Sequence, residues 1–509
     1  MRALAPGFTP YRWARPTHEV AAQAGIDPSQ VVRFDQNTPS LPLPSSRPGA
    51  VAGALARVSG YPTGGYRTLR RRIADYAGVD PDNVVLGAGA DDLILLCARA
   101  FAGSGDVVAL PQEPTYPLFR IATQLALAEV GEGDQVMTFA CRPNNPTGEL
   151  RPLPVTRPLV VDEAYFEYSG ETAVDLLGDD VVVLRTFSKA FALAGARVGF
   201  ALASAEIAAE LNRRQAPAPV STLSAELALA ALASPPDVGP LLEERARLAS
   251  ALHALGLSPW PSHANFLYVP VEDGPGLADT LARQGVVVRA YPDAVRATVL
   301  DPEDDDLLVE ALARALDRPG PVAAPGRRQV RRVRATAETG IAVRLGLDGA
   351  SRVRVATGAG VYDHLLEQLA FHGGLDLVVE GAGDLETGEH HTAEDTALAL
   401  GEALDAALGD RGGIARYGDA VVPMDDAIAR VAVDLGGRPY VKLRLEPDPG
   451  LASHVLGSLA QAGRLALHVD ASGRDPHHTA EAAYKAVGRA LRAAIRLESQ
   501  AVPSTKGLV

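Results

Sequence analysis

Short apolar runs alternate with longer Ala-, Leu- and Arg-rich stretches from about residue 50 to residue 315. Several runs end in glycine or in polar residues, as in NVVLGAGADDLILLCARAF, RPLVVDEAYFEY and DVVVLRTFSKAF. This alternation is typical of β-α-β units around a mainly parallel sheet. The pattern ends with an acidic helix around DPEDDDLLVEALARAL. We therefore predict an α/β domain over residues 1–317.

A proline- and glycine-rich segment follows, and the apolar periodicity stops there. The sequence DRPGPVAAPGRRQVRR also changes from acidic to basic. Segments of this composition connect domains more often than they form them. We predict a linker over residues 318–328 and a second domain over residues 329–509.

An internal repeat distinguishes the second domain. Residues 390–395 read HHTAED, residues 477–482 read HHTAEA, and a lone histidine, His364 or His454, precedes each pair by 26 or 23 residues. Two copies of one unit, spaced by about 90 residues, indicate a duplicated α+β domain with a pseudo-twofold axis.

The repeated histidines have the spacing of metal ligands. On a helix His390 and Glu394 share a face, whereas His391 is turned by about 100°, so adjacent histidines serve two ions better than one. The mixture of imidazole and carboxylate suits manganese, iron or zinc. The alternative is that these histidines cap or pack helices, and that explanation is equally good for His372 and His468 outside the repeat. Two sites of three histidines and one glutamate would use His364, His390, His391, Glu394, His454, His477, His478 and Glu481.

The second domain resembles imidazoleglycerol-phosphate dehydratase across residues 329–509. The matching strings are TAETGI, TGAGVYDHLLEQLAFHG, GDLETGEHHTAED, GDRGGIARYG, VDLGGRPY, HHTAEAAYKA and the terminal PSTKG. The resemblance implies two Mn²⁺ ions held by the eight ligands above and loss of water from a glycerol chain. It assigns catalysis to Glu338 together with the metal-bound Glu394 and Glu481. It assigns substrate contacts to Glu338, His372, Arg416, Arg438, Lys485, Ser504 and Lys506.

Four positions depart from the family pattern. They are Gly388, Ser453, Val455 and Asp475, and none is a predicted ligand. These residues lie near the groups expected to orient His390 and His454. Substitution of such orienting groups lowers metal affinity about 10- to 100-fold.

Lysine is rare in this chain. Four lysines occur among 48 Lys and Arg residues, and Lys189 is the only one before Lys442. It follows the strand-like DVVVL, where an amine among apolar neighbours can lose its proton and form a Schiff base. A lone lysine is more often a solvated surface residue. Asp162 ends another apolar run, where a carboxylate can keep a pyridinium nitrogen protonated, and GAGADD offers backbone amides to a phosphate at the start of a helix.

The order of GAGADD, RPNNPTG, LVVDEAY and LRTFSKAFALAGARVG resembles the fold-type I pyridoxal-phosphate aminotransferases, specifically histidinol-phosphate aminotransferase, over about residues 10–315. The resemblance implies a large domain with a mainly parallel sheet, a small α+β domain, and pyridoxal 5'-phosphate bound to Lys189. It places Ala90, Asp91, Tyr116, Asn145, Asp162, Tyr165, Ser188 and Arg197 around the cofactor. It assigns substrate contacts to Arg289 and Arg296, and it places Tyr61 at the cofactor of a neighbouring subunit.

This half also departs from its family. It is short between Tyr116 and Asn144 and between Arg289 and Arg296, and Ala90 and Asp92 stand where serine and glutamate are more usual. Related aminotransferases and a phosphothreonine decarboxylase share the cofactor motifs. These residues alone therefore leave the substrate open.

The two resemblances fit consecutive reactions. The dehydratase converts imidazole glycerol phosphate to imidazole acetol phosphate, and the aminotransferase converts that product, with glutamate, to L-histidinol phosphate. We therefore predict a bifunctional enzyme of histidine biosynthesis. One alternative is an active dehydratase fused to an aminotransferase of other specificity or to a non-catalytic assembly module. Another is a metal-storage module in place of the dehydratase.

Composition limits the binding partners and the cellular compartment that we expect for the protein. The formal net charge of −14 provides no basic surface for a nucleic acid. Two cysteines cannot form a disulfide framework, which favours a reducing compartment but leaves one incidental bridge open. The start, MRALAPGFTPYRWARP, lacks the apolar core of a signal peptide, and no segment reaches the length of apolar residues that a spanning helix needs. We expect a cytoplasmic homo-oligomer without a membrane partner, and the resemblances imply aminotransferase dimers combined with a 24-subunit dehydratase shell.

Overall fold

The computed structural model describes residues 8–11, 13–26, 28, 31–38, 58–62, 64–178, 180–318, 328–336, 338–348, 353–386 and 388–498. The chain divides into two compact units, and the boundary between them falls between residues 318 and 328. Residues 319–327 lie outside the described ranges. The linker over 318–328 and its exact limits therefore stay predictions.

The first unit contains helices and strands in regular alternation. Its helices are α1 (Thr17–Ala24), α2 (Arg67–Ala77), α3 (Ala90–Phe101), α4 (Pro117–Leu125), α5 (Phe166–Ser169), α6 (Ala205–Arg214), α7 (Thr222–Leu232), α8 (Gly239–Ala254), α9 (Gly274–Ala282) and α10 (Pro302–Ala315). Short 3₁₀ turns are formed by Gly64–Tyr66, Pro81–Asn83, Val174–Leu176 and Ala194–Ala196. Its strands are β1 (Val32–Arg33), β2 (Val84–Gly87), β3 (Val107–Ala109), β4 (Glu129–Val130), β5 (Gln135–Cys141), β6 (Leu159–Asp162), β7 (Val181–Thr186), β8 (Gly199–Leu202), β9 (Phe266–Pro270), β10 (Val286–Val287), β11 (Arg289–Tyr291) and β12 (Ala294–Thr298).

A seven-stranded sheet forms the centre of this unit. Its order is β2-β8-β7-β6-β5-β3-β4, and the neighbours from β7 to β4 are parallel, whereas β8 is antiparallel to β2 and β7. Strands β6 and β7 are wholly buried, as expected for parallel strands covered on both faces. The mainly parallel sheet predicted from the alternating pattern is therefore confirmed. Because the carboxyl ends of parallel strands meet at one edge, residues after β5, β6 and β7 converge there.

A smaller subdomain completes the first unit. Strands β11, β12 and β9 form an antiparallel sheet, and β1 pairs with β10 in parallel. Apolar residues of α8, α9, α10 and these strands share a core that is separate from the two cores flanking the large sheet. The division into a large and a small subdomain agrees with the predicted fold class.

The second unit consists of two copies of one motif. The first copy contains β13 (Gln329–Ala335), β14 (Thr339–Gly346), β15 (Val353–Ala356), α11 (Gly360–Gly373), β16 (Asp376–Gly383) and α12 (His390–Leu408). The second contains β17 (Tyr417–Met424), β18 (Ala427–Asp434), β19 (Tyr440–Glu446), α13 (Leu451–Ala462), β20 (Ala466–Ser472) and α14 (Pro476–Ala494). The two sheets have equivalent orders, β13-β14-β16-β15 and β17-β18-β20-β19. The duplication predicted from the histidine repeat is confirmed.

The helices of the two copies are exchanged. Helix α11 of the first copy packs against α14 of the second, and α13 of the second packs against α12 of the first. Both contacts are close because glycine lies at the crossing. A Cβ at Gly488 would come within 2.3 Å of the Leu369 carbonyl oxygen, and one at Gly401 within 2.6 Å of that of Leu459. One apolar core therefore joins both copies, and the histidines of each copy are brought to helices of the other.

Cys97 and Cys141 are free and buried, so they form no disulfide in this structure. In the described part of the chain, no helix combines the length and the apolar character that crossing a membrane requires.

Candidate active sites

A cavity of about 400 Å³ opens at the carboxyl edge of the large sheet. Asn145 follows β5, Asp162 ends β6, and Ser188 and Lys189 follow β7, so consecutive parallel strands deliver these side chains to one place. Each group predicted for the cofactor lines this cavity: Ala90, Asp91, Tyr116, Asn145, Asp162, Tyr165, Ser188, Lys189 and Arg197. The substrate candidates Arg289 and Arg296 line it as well.

Lys189 is the amine of this cavity. Its Nζ lies 3.4 Å from the backbone oxygen of Gln36 and 5.8 Å from the centre of the Tyr165 ring. Burial, and then the positive charge of Arg296, lower the pKa of Lys189 to about 8. A larger fraction of this amine is therefore neutral near physiological pH than of an ordinary lysine, and the neutral amine is the nucleophilic form.

Asp162 lies deeper, with 4% of its surface exposed. Its Oδ1 accepts a hydrogen bond from the backbone N–H of Ala164 at 3.0 Å, and burial raises the pKa of the carboxyl group to about 7. A buried carboxyl group of this kind is stabilised in its ionised form by a cationic N–H. The adjacent Glu163 forms a buried ion pair with Arg185 on β7, at 3.0 Å between Oε2 and Nη2, which ties the two strands together beside Asp162.

The start of helix α3 provides an anion cradle. The N-cap residue of α3 is Gly89, which has no side chain to accept from the first backbone N–H groups of the helix, and Ala90 and Asp91 of its first turn line the cavity. Gly89 has φ +86°, and a Cβ there would come within 2.8 Å of Nη2 of Arg197. That guanidinium lies 2.9 Å from Oδ2 of Asp91, and the Ser188 hydroxyl accepts a hydrogen bond from Thr186 at 2.9 Å. Helix amides, a hydroxyl group and a guanidinium together fit a phosphate dianion.

The remaining cavity residues form a hydrogen-bonded wall. The Tyr116 hydroxyl donates to Oδ1 of Asp91 at 3.0 Å, and Nη1 of Arg296 donates to Oδ1 of Asn145 at 2.5 Å. The Tyr165 hydroxyl accepts from Nδ2 of Asn37 at 2.9 Å. The sequence prediction missed Asn37, and it also missed Asp35, Tyr11 and Trp13, which line the cavity from the N-terminal segment. These residues are remote in sequence from the motifs, and no local pattern marks them.

Tyr61 does not line the cavity. It is 89% exposed, and it is a described residue on the surface of the first unit. Its predicted contact with the cofactor of a neighbouring subunit stays a prediction.

The second unit brings histidine and carboxylate groups together in three places, and two of these are equivalent clusters of two histidines and one glutamate. In the first, Nε2 of His364 lies 2.7 Å from Oε1 of Glu481, and Nε2 of His477 lies 3.4 Å from the same oxygen. Burial opposes ionisation of Glu481, but hydrogen bonds from Lys485 and His364 outweigh it and lower the pKa to about 2. The three ligand atoms all lie within 4.8 Å of one another, a spacing suited to one metal ion.

The second cluster repeats this arrangement with the copies exchanged. Oxygens of Glu394 lie 3.6 Å from Nε2 of His390 and 3.2 Å from Nε2 of His454. The two imidazole rings stack at 4.9 Å. Each cluster thus combines a lone histidine of one copy with the HxxxE pair of the other, which follows from the exchanged packing of the helices.

The second histidine of each pair points elsewhere. Nδ1 of His391 lies 3.2 Å from Asp384 and 3.5 Å from Glu338, and Nδ1 of His478 lies 2.6 Å from Asp426. Each cluster within this chain therefore contains two histidines and one glutamate, where three histidines and one glutamate are predicted. The sequence interpretation missed Asp384 and Asp426, because both come from turns and only folding brings them to the helix starts.

The residues predicted to contact the substrate in the second unit lie in several different places. Nζ of Lys485 lies 2.7 Å from Oε2 of Glu481, next to the first cluster. Arg416 is paired with Asp434 at 2.7 Å, and Arg438 is exposed. Glu338 is half-exposed beside His391, and His372 lines a separate cleft. Ser504 and Lys506 lie outside the described residues.

The structure describes the surroundings of all four positions that depart from the family pattern. Asp475 caps α14, because its Oδ1 accepts the backbone N–H of His477 at 2.7 Å. Val455 is fully buried in the core of the second unit, and Ser453 lies 3.3 Å from Asp448. Gly388 has φ +126°, a conformation that favours glycine just before the His390 pair.

Family models match both units. The model for aminotransferase class I and II matches residues 29–134 and 122–312, and the model for imidazoleglycerol-phosphate dehydratase matches residues 357–491. An imidazoleglycerol-phosphate dehydratase of Methanothermobacter thermautotrophicus is 49% identical over 188 residues, which span 97% of that protein and 35% of this chain. The chain belongs to both families.

The aminotransferase unit also resembles solved structures. A histidinol-phosphate aminotransferase from Sinorhizobium meliloti, solved in complex with pyridoxal-5'-phosphate, aligns with TM-score 0.53 and 24% identity, and covers 62% of this chain and 98% of its own. An L-threonine-O-3-phosphate decarboxylase from Porphyromonas gingivalis aligns with TM-score 0.51 and 21% identity. The alignment covers 56% of this chain and 100% of that protein's chain. At these identities the likeness shows the fold of the aminotransferase unit and not its substrate.

Proposed function

We propose that the chain is a bifunctional enzyme of histidine biosynthesis. Its dehydratase unit removes water from imidazole glycerol phosphate and gives imidazole acetol phosphate. Its aminotransferase unit transfers an amino group from glutamate to that product and gives L-histidinol phosphate. One observation carries the proposal: a single chain contains both sites. The first unit has a cavity suited to a phosphate and a lysine with a lowered pKa, and the second unit has the histidine clusters of the dehydratase family.

The aminotransferase cavity fits pyridoxal 5'-phosphate. Lys189 supplies the amine, Asp162 faces the place of a protonated ring nitrogen, and the start of α3 with Ser188 and Arg197 takes the phosphate. The bound cofactor supplies an electron sink for the carbon that loses its proton. Arg296 is a buried residue of the cavity lining beside Asn145, and its guanidinium is of the type that holds a substrate carboxylate.

The dehydratase clusters fit two divalent ions, for which we propose Mn²⁺. Each cluster offers imidazole nitrogens together with a carboxylate oxygen, and manganese binds to ligands of both kinds. Bound ions act as Lewis acids and stabilise negative charge on an adjacent ring. Glu338 is placed beside His391 and is half-exposed, so its carboxylate is free to exchange a proton with a substrate chain.

The incomplete clusters favour assembly of several chains. His391 and His478 turn away from the cluster on their own helix, so a copy of the chain can present them to another cluster. This agrees with the 24-subunit shell expected for the dehydratase unit, combined with dimers of the aminotransferase unit through shared twofold axes. The mass of the assembly in solution, measured by light scattering, tests this part. The expected cytoplasmic location is tested by imaging the tagged full-length chain.

The acceptor of the amino group is the point that most needs a test. The full-length protein, loaded with pyridoxal phosphate, is incubated with glutamate and with imidazole acetol phosphate, and 2-oxoglutarate is measured. We expect rapid formation with this acceptor, and slower formation with 2-oxo acids that lack the phosphate. If an unrelated 2-oxo acid is preferred, the aminotransferase has another specificity. If phosphothreonine loses CO₂ instead, the unit is a decarboxylase, and the dehydratase half of the proposal stands alone.

A further inference from the structure

A second cleft lies in the dehydratase unit, and its lining contains no residue of either histidine cluster. It has a volume of about 750 Å³ and lies where helices α11 and α14 end. Cationic side chains dominate its lining, which includes Arg328, His372, Arg489, Arg492 and Arg496. We call this space the arginine cleft.

The close packing of α11 and α14 builds the cleft. The two helices run side by side, with His364 against Glu481 near their starts and Gly373 against Gly488 near their ends. The glycine contact lets the backbones approach and leaves His372 and Arg489 at the rim. From Glu481 to Arg489 the helix rises by about 12 Å, so the arginine cleft is distinct from the metal-binding end of the same helix.

Two of the arginines have no carboxylate partner in the part of the chain that the structure describes. Arg328 is paired with Asp348, and Arg496 is paired with Glu498. Arg489 and Arg492 form no ion pair with any carboxylate among the described residues, although the whole chain is acidic. Burial lowers the pKa of His372, and the positive charges of Lys485 and Arg489 lower it further. The potential in the cleft is therefore positive.

The other copy of the duplicated motif provides an internal control. Gly401 on α12 has the same packing role as Gly488, and counting from these glycines, Arg489 and Arg492 correspond to Glu402 and Asp405. Both acids have arginine partners, since Glu402 lies 3.4 Å from Arg334 and Asp405 is paired with Arg411.

This comparison removes the simplest structural explanation. The fold does not need arginine at these helix positions, because the equivalent helix carries acids there. Within the described residues, the two guanidinium groups without a carboxylate partner are a feature of this copy alone.

We propose that the arginine cleft binds a phosphate group, either as inorganic phosphate or as part of a small phosphomonoester. Two guanidinium groups with free N–H forks match the geometry of a phosphate dianion. His372, which the resemblance to the dehydratase assigns to the substrate, also lines the cleft, so the proposed phosphate site is defined by Arg489 and Arg492. This site is separate from the cofactor cradle on α3 and from the metal clusters, and it does not rest on the proposed function.

Equilibrium dialysis with radioactive inorganic phosphate tests the site in the full-length, metal-loaded protein at low ionic strength. Bound pyridoxal phosphate keeps the cradle on α3 filled. We expect one bound phosphate per chain in the arginine cleft, with a dissociation constant of about a millimolar or lower. Arg489→Gln combined with Arg492→Gln should weaken this binding at least about tenfold, because two charge-assisted contacts are lost. Both side chains are exposed, so the variant should fold, and its thermal unfolding midpoint checks this.

Two controls separate the arginine cleft from its surroundings. Glu402→Gln changes the equivalent position in the other copy, and it should leave phosphate binding within about twofold of the wild type. Lys485→Gln changes the cation beside the metal cluster, and most of the binding should persist. The proposal is wrong if phosphate does not bind saturably. It is also wrong if the double arginine variant binds like the wild type, or if Lys485→Gln abolishes the same site, since the phosphate then occupies the dehydratase substrate site.

Discussion

The two candidate active sites differ in how much of a site one chain supplies. In the aminotransferase cavity, a lysine, an aspartate and an arginine of one chain converge from separate strands. The dehydratase clusters hold two histidines and one glutamate each, with imidazoles that are roughly half-exposed. The difference follows from the folds. Parallel strands converge within one sheet, whereas two adjacent histidines on one helix necessarily face two directions.

This difference has energetic consequences. In the aminotransferase unit, buried charges such as the Glu163–Arg185 pair are fixed by folding and are costly to disturb. In the dehydratase unit, the imidazole ligands are about half-exposed, and a bound ion supplies the energy that orders them. Changes near the first site should therefore affect stability and chemistry together, and changes near the second should affect metal binding first.

The largest effect is expected at Lys189. Lys189→Ala removes the only lysine among the described residues that line the cofactor cavity, and it should lower transamination by about ten-thousand-fold, the upper range for one positioned proton-transfer group. The visible absorbance of the protein-linked cofactor should disappear as well. Dehydration should be unchanged, because the metal clusters lie in the other unit. If Lys189→Ala abolished both reactions in a folded protein, the assignment of separate sites would be wrong.

Removal of a metal ligand should produce the next largest effect. His477→Ala leaves the first cluster with one imidazole and one carboxylate, and it should reduce dehydration by about a thousandfold, since a metal ion contributes several kcal/mol to charge stabilisation. Metal content, measured by inorganic mass spectrometry, should fall in parallel. His468→Ala is the matched control, because His468 is an exposed histidine outside both clusters. Equal metal loss in the two variants would contradict the assignment of the ligands.

The third largest effect is expected when the buried ion pair beside Asp162 is broken. Glu163→Gln leaves Arg185 charged and unpaired, although both side chains are at most 2% exposed, and it should lower the free energy of unfolding by about 3–5 kcal/mol. Glu210→Gln breaks the exposed pairs with Arg213 and Arg214 and should lower the free energy of unfolding far less, because solvent screens these charges. Denaturant unfolding of both variants measures the difference. Equal losses would show that burial does not distinguish these pairs.

The pH dependence of the aminotransferase unit should show the smallest effect. The pKa of Asp162 is about 7 in the folded, cofactor-free protein, above the value of about 3.9 for an unfolded aspartate. The folded state then binds more protons between these values, so stability should decrease as pH rises from about 4 to 7, by at most about 4 kcal/mol. Asp162→Asn should remove this part of the slope in urea unfolding of the cofactor-free protein. An unchanged slope would mean that Asp162 ionises normally.

Much of both sites could be predicted from the sequence, for different reasons. Asp162, Ser188 and Lys189 were predictable because strand ends mark the edge of a parallel sheet. His390 and Glu394 were predictable because the spacing of four residues places them on one helix face. Asn37, Asp384 and Asp426 were not predictable, because each comes from a turn that only the tertiary fold brings to the site. The pairing of one copy's lone histidine with the other copy's helix depends on the exchanged helices, and no local pattern encodes that exchange.

Conversion of imidazole glycerol phosphate and glutamate by the single full-length chain tests the central claim most directly. The protein is supplied with Mn²⁺ and pyridoxal phosphate, and the products are followed by mass spectrometry. We predict histidinol phosphate and 2-oxoglutarate in equal amounts, and accumulation of imidazole acetol phosphate when Lys189→Ala replaces the wild type. If the wild-type chain stopped at imidazole acetol phosphate, or left imidazole glycerol phosphate unchanged, one chain would not perform both reactions.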